Sequence, residues 1–159
     1  MIRVQAEDFD PGAEIARFSS GSGRMGGVCM FLGLVRDYMG NGTGVSAMTL
    51  EHYPGMTEKQ LAAIEAEARR RWPLEDALII HRHGRLEAGD RIVLVATASA
   101  HREAAFQSCH FLMDWLKTKA PFWKIEHTSQ GDVWVAAKEA DDAQAARWDL
   151  DLPAGESGC

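Results

Sequence analysis

The chain has 159 residues, 46% hydrophobic and 25% charged, with a formal net charge of -6. That length suits one soluble globular domain burying roughly two-thirds of its unfolded surface, and no run approaches the roughly 18 apolar residues of a membrane span. The acidic balance argues against a nonspecific nucleic-acid or membrane binder, because both surfaces are anionic and reward clustered Lys and Arg.

"MIRVQAEDFDPG" carries acids and lacks the apolar centre of a signal peptide, which points to the cytoplasm. Within it, a short strand is expected near Ile2 to Gln5, and Asp10 with Pro11 predicts the N-cap and first position of a helix to Phe18. "GGVCMFLGLVR", Gly26 to Arg36, is apolar at successive positions and reads as a strand buried on both sides. A glycine-rich loop, Met39 to Gly44, is expected to be mobile unless a partner orders it, and leads to a strand over Val45 to Tyr53. Thr57 with Gln60 reads as a capping box, opening a helix to about Trp72 with Leu61, Ile64, Ala68 and Trp72 on one stripe. Pro73 closes it.

"ALIIHRHG" and "RIVLVATAS" read as strands joined by the turn "RLEAGD". A long helix follows from His101 to Lys119, with Ala105, Cys109, Leu112 and Leu116 facing the core. Pro121 ends it, and "FWKIEHT" and "DVWVAAK" form a hairpin across "SQGD". A short helix from Glu139 completes a domain of residues 1–150, leaving 151–159 as a disordered acidic tail. The irregular order of strands and helices predicts an α+β fold.

"LKTKAPFWKIE" sets lysines on both sides of a proline and two aromatic rings. Lys117 lies on the flank of the helix core stripe; Lys124 shares a strand face with Phe122 and Glu126, while Trp123 and Ile125 take the other face, Trp123 as core anchor. Because the chain turns at Pro121, both amines can converge on one spot. Either they are solvated charges complementing a helix end and a neighbouring acid, or they form a pocket where amines act as base, acid or nucleophile. Arg36, Arg82, His101 and Arg102 also stand at element ends, as anion contacts or as surface pairs and caps. Arg102 and Lys117 are separated by about 22 Å of helix at 1.5 Å per residue. One site using both needs a second subunit, hence a symmetric dimer.

His81 and His83 alternate onto one strand face but lack a third metal ligand, so no metal site is expected. Cys29, Cys109 and Cys159 form no C-x-x-C pair; their odd number predicts no disulfide framework, and none has a base beside it in sequence.

"FLGLVRDYMGNG", "MTLEHYPGMTEKQL", "IIHRHGRLEAGD", "SAHREAAF", "LKTKAPFWKIE" and "GDVWVAAKE" together resemble, in order and spacing, the catalytic large-subunit family of molybdopterin synthase, over Gly26 to Trp148. The resemblance implies a hammerhead-type α+β fold and a central homodimer carrying a small ubiquitin-like sulfur carrier at each end, a heterotetramer overall. It implies sulfur transfer from the carrier's C-terminal thiocarboxylate to cyclic pyranopterin monophosphate, giving the dithiolene of molybdopterin in molybdenum cofactor biosynthesis, with no metal or other cofactor. Lys117 and Lys124 correspond to the catalytic lysines; Leu34, Val35, Arg36, His101, Arg102, Ile125 and Glu126 correspond to substrate contacts. Ile125, Leu34 and His83 depart from the family's usual residues. A noncatalytic anion- or partner-binding subunit and a lysine Schiff-base enzyme are the other readings of the same pocket.

Overall fold

Period-two apolar runs build two four-stranded sheets in a computed structural model that describes residues 1–21, 23–37, 45–135 and 139–149. The first sheet contains β1 (Ile2–Gln5), β4 (Leu74–Arg82), β6 (Arg91–Ser99) and β2 (Gly27–Leu34), in that order. Only β1 against β4 is parallel within it; β4, β6 and β2 are antiparallel neighbours. The second sheet is antiparallel, with β5 (Gly84–Glu87), β3 (Val45–His52), β7 (Phe122–Thr128) and β8 (Gly131–Val135) in spatial order. This mixed arrangement with segregated helices is the expected α+β class.

Helices cover both faces of the first sheet. α1 (Pro11–Ser19) begins as expected, the Asp10 carboxylate accepting from the N–H groups of Gly12 and Ala13, and its Ile15 and Phe18 pack beside Leu78, Ile80 and Leu94. On the other face, α2 (Met56–Arg71) and α3 (Arg102–Lys119) enclose Ile79, Val93 and Val95. Both expected stripes are buried: Leu61, Ile64, Ala68 and Trp72 from α2 and its cap, and Ala105, Cys109, Leu112 and Leu116 from α3. Each fully buried Leu or Ile among them contributes about 1.5–3 kcal/mol relative to exposure. α4 (Glu139–Ala146) and the residues after it lie against α3 through Trp148, whose ring meets Trp72 and Phe111 edge-on at 5.6 and 5.7 Å.

Several expectations are corrected. β2 is not buried on both sides: it forms the edge of its sheet and leaves Val28, Met30, Phe31 and Leu34 38–50% exposed. The segment after His83 is more than a turn, because Gly84, at φ +84°, redirects the chain and its following residues pair with β3. α2 starts two residues early, at the N-cap Gly55, whose N–H donates to Glu58; the Thr57 hydroxyl instead accepts from the Tyr53 N–H. Trp123 is 48% exposed and anchors no core. The glycine-rich loop expectation, Met39 to Gly44, and the tail expectation, 151–159, fall outside the described residues.

Asp114 is a buried acid on α3 that ties down the chain end, accepting from Trp148 Nε1 at 2.7 Å and from the Arg147 guanidinium at 2.6 Å. Replacing Asp114 with Ala leaves both donors without that partner and is expected to cost about 1–3 kcal/mol, read as a lower urea midpoint at unchanged slope. On α2, the hydrogen bond from Arg70, reinforced by Arg71, holds the Glu67 carboxyl down at about 2. A carboxyl depressed in the folded state gives its full contribution above its ordinary value near 4.5 and loses it as pH falls towards about 2. Across that window wild-type stability is expected to fall more steeply than that of Glu67→Gln, measured by urea titration.

Candidate active site

Where the two sheets meet the last turn of α3 there is a cavity of about 740 Å³. Phe31 to Leu34 of β2 and Arg36 form one side, and Met48 and Leu50 of β3 another. Met113, Leu116 and Lys117 of α3 face Phe122, Lys124 and Glu126 of β7 across it; His81 and Val93 come from the first sheet and Asp141 from α4. The helix and strand that carry the lysines are joined by only Ala120 and Pro121. Ala120 is already extended, at φ -80° and ψ 134°, so α3 ends without a further turn and β7 starts at the cavity.

The two amines therefore line one space, and each has an acidic neighbour. Lys124 Nζ lies 2.8 Å from Glu126 Oε1, and their side chains are 33% and 12% exposed. They sit two residues apart on one strand face, opposite Leu50 and Val135 and opposite Met48 and Val133, so apolar neighbours flank the pair. Lys117 Nζ lies 3.6 Å from Asp141 Oδ1, but its side chain is 53% exposed. An ion pair that open is worth about 0–1 kcal/mol. An incoming anion can displace Asp141 more easily than Glu126.

Arg36 and Leu34 reach the same cavity, whereas Val35 alternates away into a core with Met48, Leu50 and Leu86. Ile125 takes the opposite face of β7 from Lys124. His101 caps α3 by position, without a side-chain capping bond, and Arg102 begins the helix, about 22 Å from Lys117 along it. Neither lines the cavity of its own chain. Arg82 is committed elsewhere, donating to the carbonyls of Ala6 and Arg91 beside Asp8.

The paired reading of His81 and His83 does not hold. β4 ends at Arg82, and the His83 ring turns to His52, with centroids 4.2 Å apart. His81 stacks on Phe122 instead, at 3.8 Å and 18°. Its Nδ1 lies 2.8 Å from the Arg82 carbonyl oxygen, and only 5% of the residue is exposed. Burial, with minor contributions from His52 and His83, pushes its pKa down to about 4, so the ring is neutral near pH 7. Among the described residues, no group of three His, Cys, Asp or Glu is arranged to hold a metal ion. Cys109 is buried and its pKa is raised, chiefly by desolvation.

His81 and Asp141 are charged or polar cavity residues that sequence reasoning did not place there. Strand alternation puts His81 on the core side with Ile79, a sign of burial, but its meeting with Phe122 is a long-range contact with no local signature.

The MoaE protein family model matches residues 4–119. The molybdopterin synthase catalytic subunit of Ralstonia nicotianae is 56% identical over 94% of this chain and 84% of its own length, and that of Cereibacter sphaeroides is 56% identical over 92% and 99%. Among solved structures, the molybdopterin biosynthesis MoaE protein of Burkholderia ambifaria superposes with a TM-score of 0.80 at 52% identity, covering 95% of this chain and 99% of that one. The molybdopterin synthase of Staphylococcus aureus superposes with a TM-score of 0.77 at 30% identity, covering 84% and 96%. With the family model matching most of the chain and relatives 56% identical over more than nine-tenths of it, the chain belongs to the MoaE family.

Proposed function

We propose that this chain is the catalytic subunit of a molybdopterin synthase. It transfers sulfur from the C-terminal thiocarboxylate of a small ubiquitin-like carrier to cyclic pyranopterin monophosphate, building the dithiolene of molybdopterin in two transfers. The observation that carries this reading is the convergence of Lys117, Lys124 and Arg36 on one cavity, in a chain about half identical to named catalytic subunits. A phosphorylated substrate and a thiocarboxylate are both anions. Three cationic side chains on one cavity suit their simultaneous binding.

Within this reading Lys124, tied to Glu126, is the fixed positive charge that orients the anions. Lys117, more open and only loosely paired, is the mobile one that gives and takes protons. The thiocarboxylate sulfur forms a C–S bond to a substrate carbon, and the oxygen it replaces leaves with a proton. Cleavage of the resulting thioester by water leaves sulfur on the substrate and a carboxylate on the carrier. No cysteine of this subunit carries sulfur, which fits the burial of Cys109. Free thiols at Cys29 and Cys109 also suit a reducing cytoplasm. Among the described residues, no helix is long and apolar enough to cross a membrane.

His101 and Arg102 enter the site through a second copy. Arg102 lies at the Gly27 end of β2, where a Cβ on Gly27 would sit 3.6 Å from the Arg102 Cα; the Leu34 end of β2 lies at the cavity. The exposed apolar edge of β2 is the surface we assign to that copy. Antiparallel pairing of two β2 edges about a two-fold axis carries each Arg102 towards the partner's cavity. One carrier bound at each outer end then makes a heterotetramer.

Single-turnover conversion of cyclic pyranopterin monophosphate with thiocarboxylated carrier tests the chemistry. Lys117→Ala is expected to slow transfer about 10²–10⁴-fold while carrier still binds, and Lys124→Ala to abolish most substrate turnover. Full activity in both variants would remove the lysines from the mechanism. Wild type that binds carrier without transferring sulfur would be a binding subunit, and a borohydride-trapped substrate adduct on Lys117 without carrier would mark a Schiff-base enzyme. Sedimentation of the wild type is expected to give a dimer, and Met30→Glu on the β2 edge a monomer with little activity; a monomeric, fully active wild type would contradict the shared site.

A further inference from the structure

We propose that His81 is a substrate-positioning residue whose Nε2 accepts a hydrogen bond from an N–H group of a planar nitrogen heterocycle bound in the cavity. The inference rests on the sulfur-transfer reading and adds to it the group that recognises the ring, as distinct from the groups that hold its anionic parts.

The tautomer follows from the geometry. Nδ1 lies 2.8 Å from the Arg82 carbonyl oxygen, and a carbonyl only accepts, so Nδ1 carries the proton. A neutral imidazole then presents Nε2 as a lone-pair acceptor. Stacking on Phe122 at 3.8 Å and 18° fixes the plane of the ring, so rotating it would give up both the stack and the Nδ1 bond.

His81 is more than nine-tenths buried yet lines the cavity, and the hydrogen bond its ring makes among the described residues runs through Nδ1. Nε2 is therefore open to a donor from the cavity. The neighbouring amines have other partners: Lys124 is held by Glu126 and Lys117 faces Asp141. A metal does not fit, since His83 is turned to His52 and no third ligand joins them among the described residues.

Lysines and Arg36 offer only donors, and the cavity's two carboxylates are engaged with those lysines. His81 is thus a neutral acceptor on a wall otherwise formed by Val93, Met113 and Phe122. This combination matches a flat ring with N–H edges: the aromatic and aliphatic wall takes the ring face, Nε2 takes an N–H, and the cationic side takes the phosphate. Protonation would turn Nε2 into a donor and reverse the preference. The carboxylates of Glu7 and Glu58 act on His83 and not on His81.

The test uses the full chain with thiocarboxylated carrier and cyclic pyranopterin monophosphate. His81→Phe keeps a ring against Phe122 but removes the acceptor; His81→Gln can place an amide oxygen near the position of Nε2. Substrate Kd without carrier, and KM with it, are expected to rise about tenfold in His81→Phe, with kcat within about twofold and carrier affinity unchanged. His81→Gln is expected to recover most of that loss. In wild type labelled with ¹⁵N-histidine, substrate is expected to move the Nε2 resonance upfield, as acceptance of a hydrogen bond requires; this measurement decides the matter if His81→Phe does not fold. Unchanged substrate affinity in His81→Phe, or an unmoved Nε2 resonance in a wild type that turns over, overturns the role of His81 while leaving sulfur transfer intact. A wild type that neither binds the substrate nor transfers sulfur overturns both.

Discussion

The two-residue turn at Ala120 and Pro121 is the constraint on which the site depends. Proline has no N–H to donate and keeps the residue before it extended, so α3 ends at Lys119 and β7 begins at Phe122. The turn is held from outside by the Thr57 hydroxyl, which donates to the Pro121 carbonyl at 3.4 Å, and Thr57 is itself fully buried at the start of α2. A longer connection would let β7 start away from the helix end and separate Lys117 from Lys124. The stack of Phe122 on His81 closes the same corner against the first sheet. One short turn thus sets two amines, a ring and a buried imidazole around a single cavity.

Charge in that cavity is graded. The Lys124–Glu126 pair is short and flanked by apolar side chains, and removing either partner would strand the other in poorly solvated surroundings. The Lys117–Asp141 pair is longer and half open to solvent, and α4, which carries Asp141, is held through Trp148 and Asp114. Solvent screening makes the second pair the replaceable one. The site can therefore keep one cation fixed while exchanging the partner of the other, which suits a reaction in which one anionic group arrives and another leaves.

Local pattern made much of this legible. The Asp10 cap, the stripes of α2 and α3, the end of α3 at Pro121 and the β7–β8 hairpin all depend on residues close in sequence, and they occur where periodicity and turn chemistry put them. What could not be read depends on distant partners. The apolar run of β2 has the composition of a central strand but lies at an edge, because strand order is a property of the whole sheet. Trp123, expected as a core anchor, is exposed, and the strand face that lines the cavity is that of Phe122, Lys124 and Glu126. The short strand β5 is hidden in a turn-like sequence, since its pairing partner β3 lies far from it along the chain. Lys117 and Lys124 were identifiable as a pair; His81 as their companion was not.

The same rigidity that assembles the cavity also limits what one chain can bring to it. α3 runs 18 residues with a buried stripe along its length, so Arg102 and Lys117 are held apart by a fixed span of about 22 Å. β2 runs alongside from Arg102 to the cavity, ending with exposed apolar residues where a buried strand would have none. A helix that cannot bend and a strand edge that has not been covered are complementary facts. The first denies the cavity its own Arg102, and the second offers a surface through which another copy can supply one. In the proposed dimer, a core chosen for stability thus also places the complete site in an assembly.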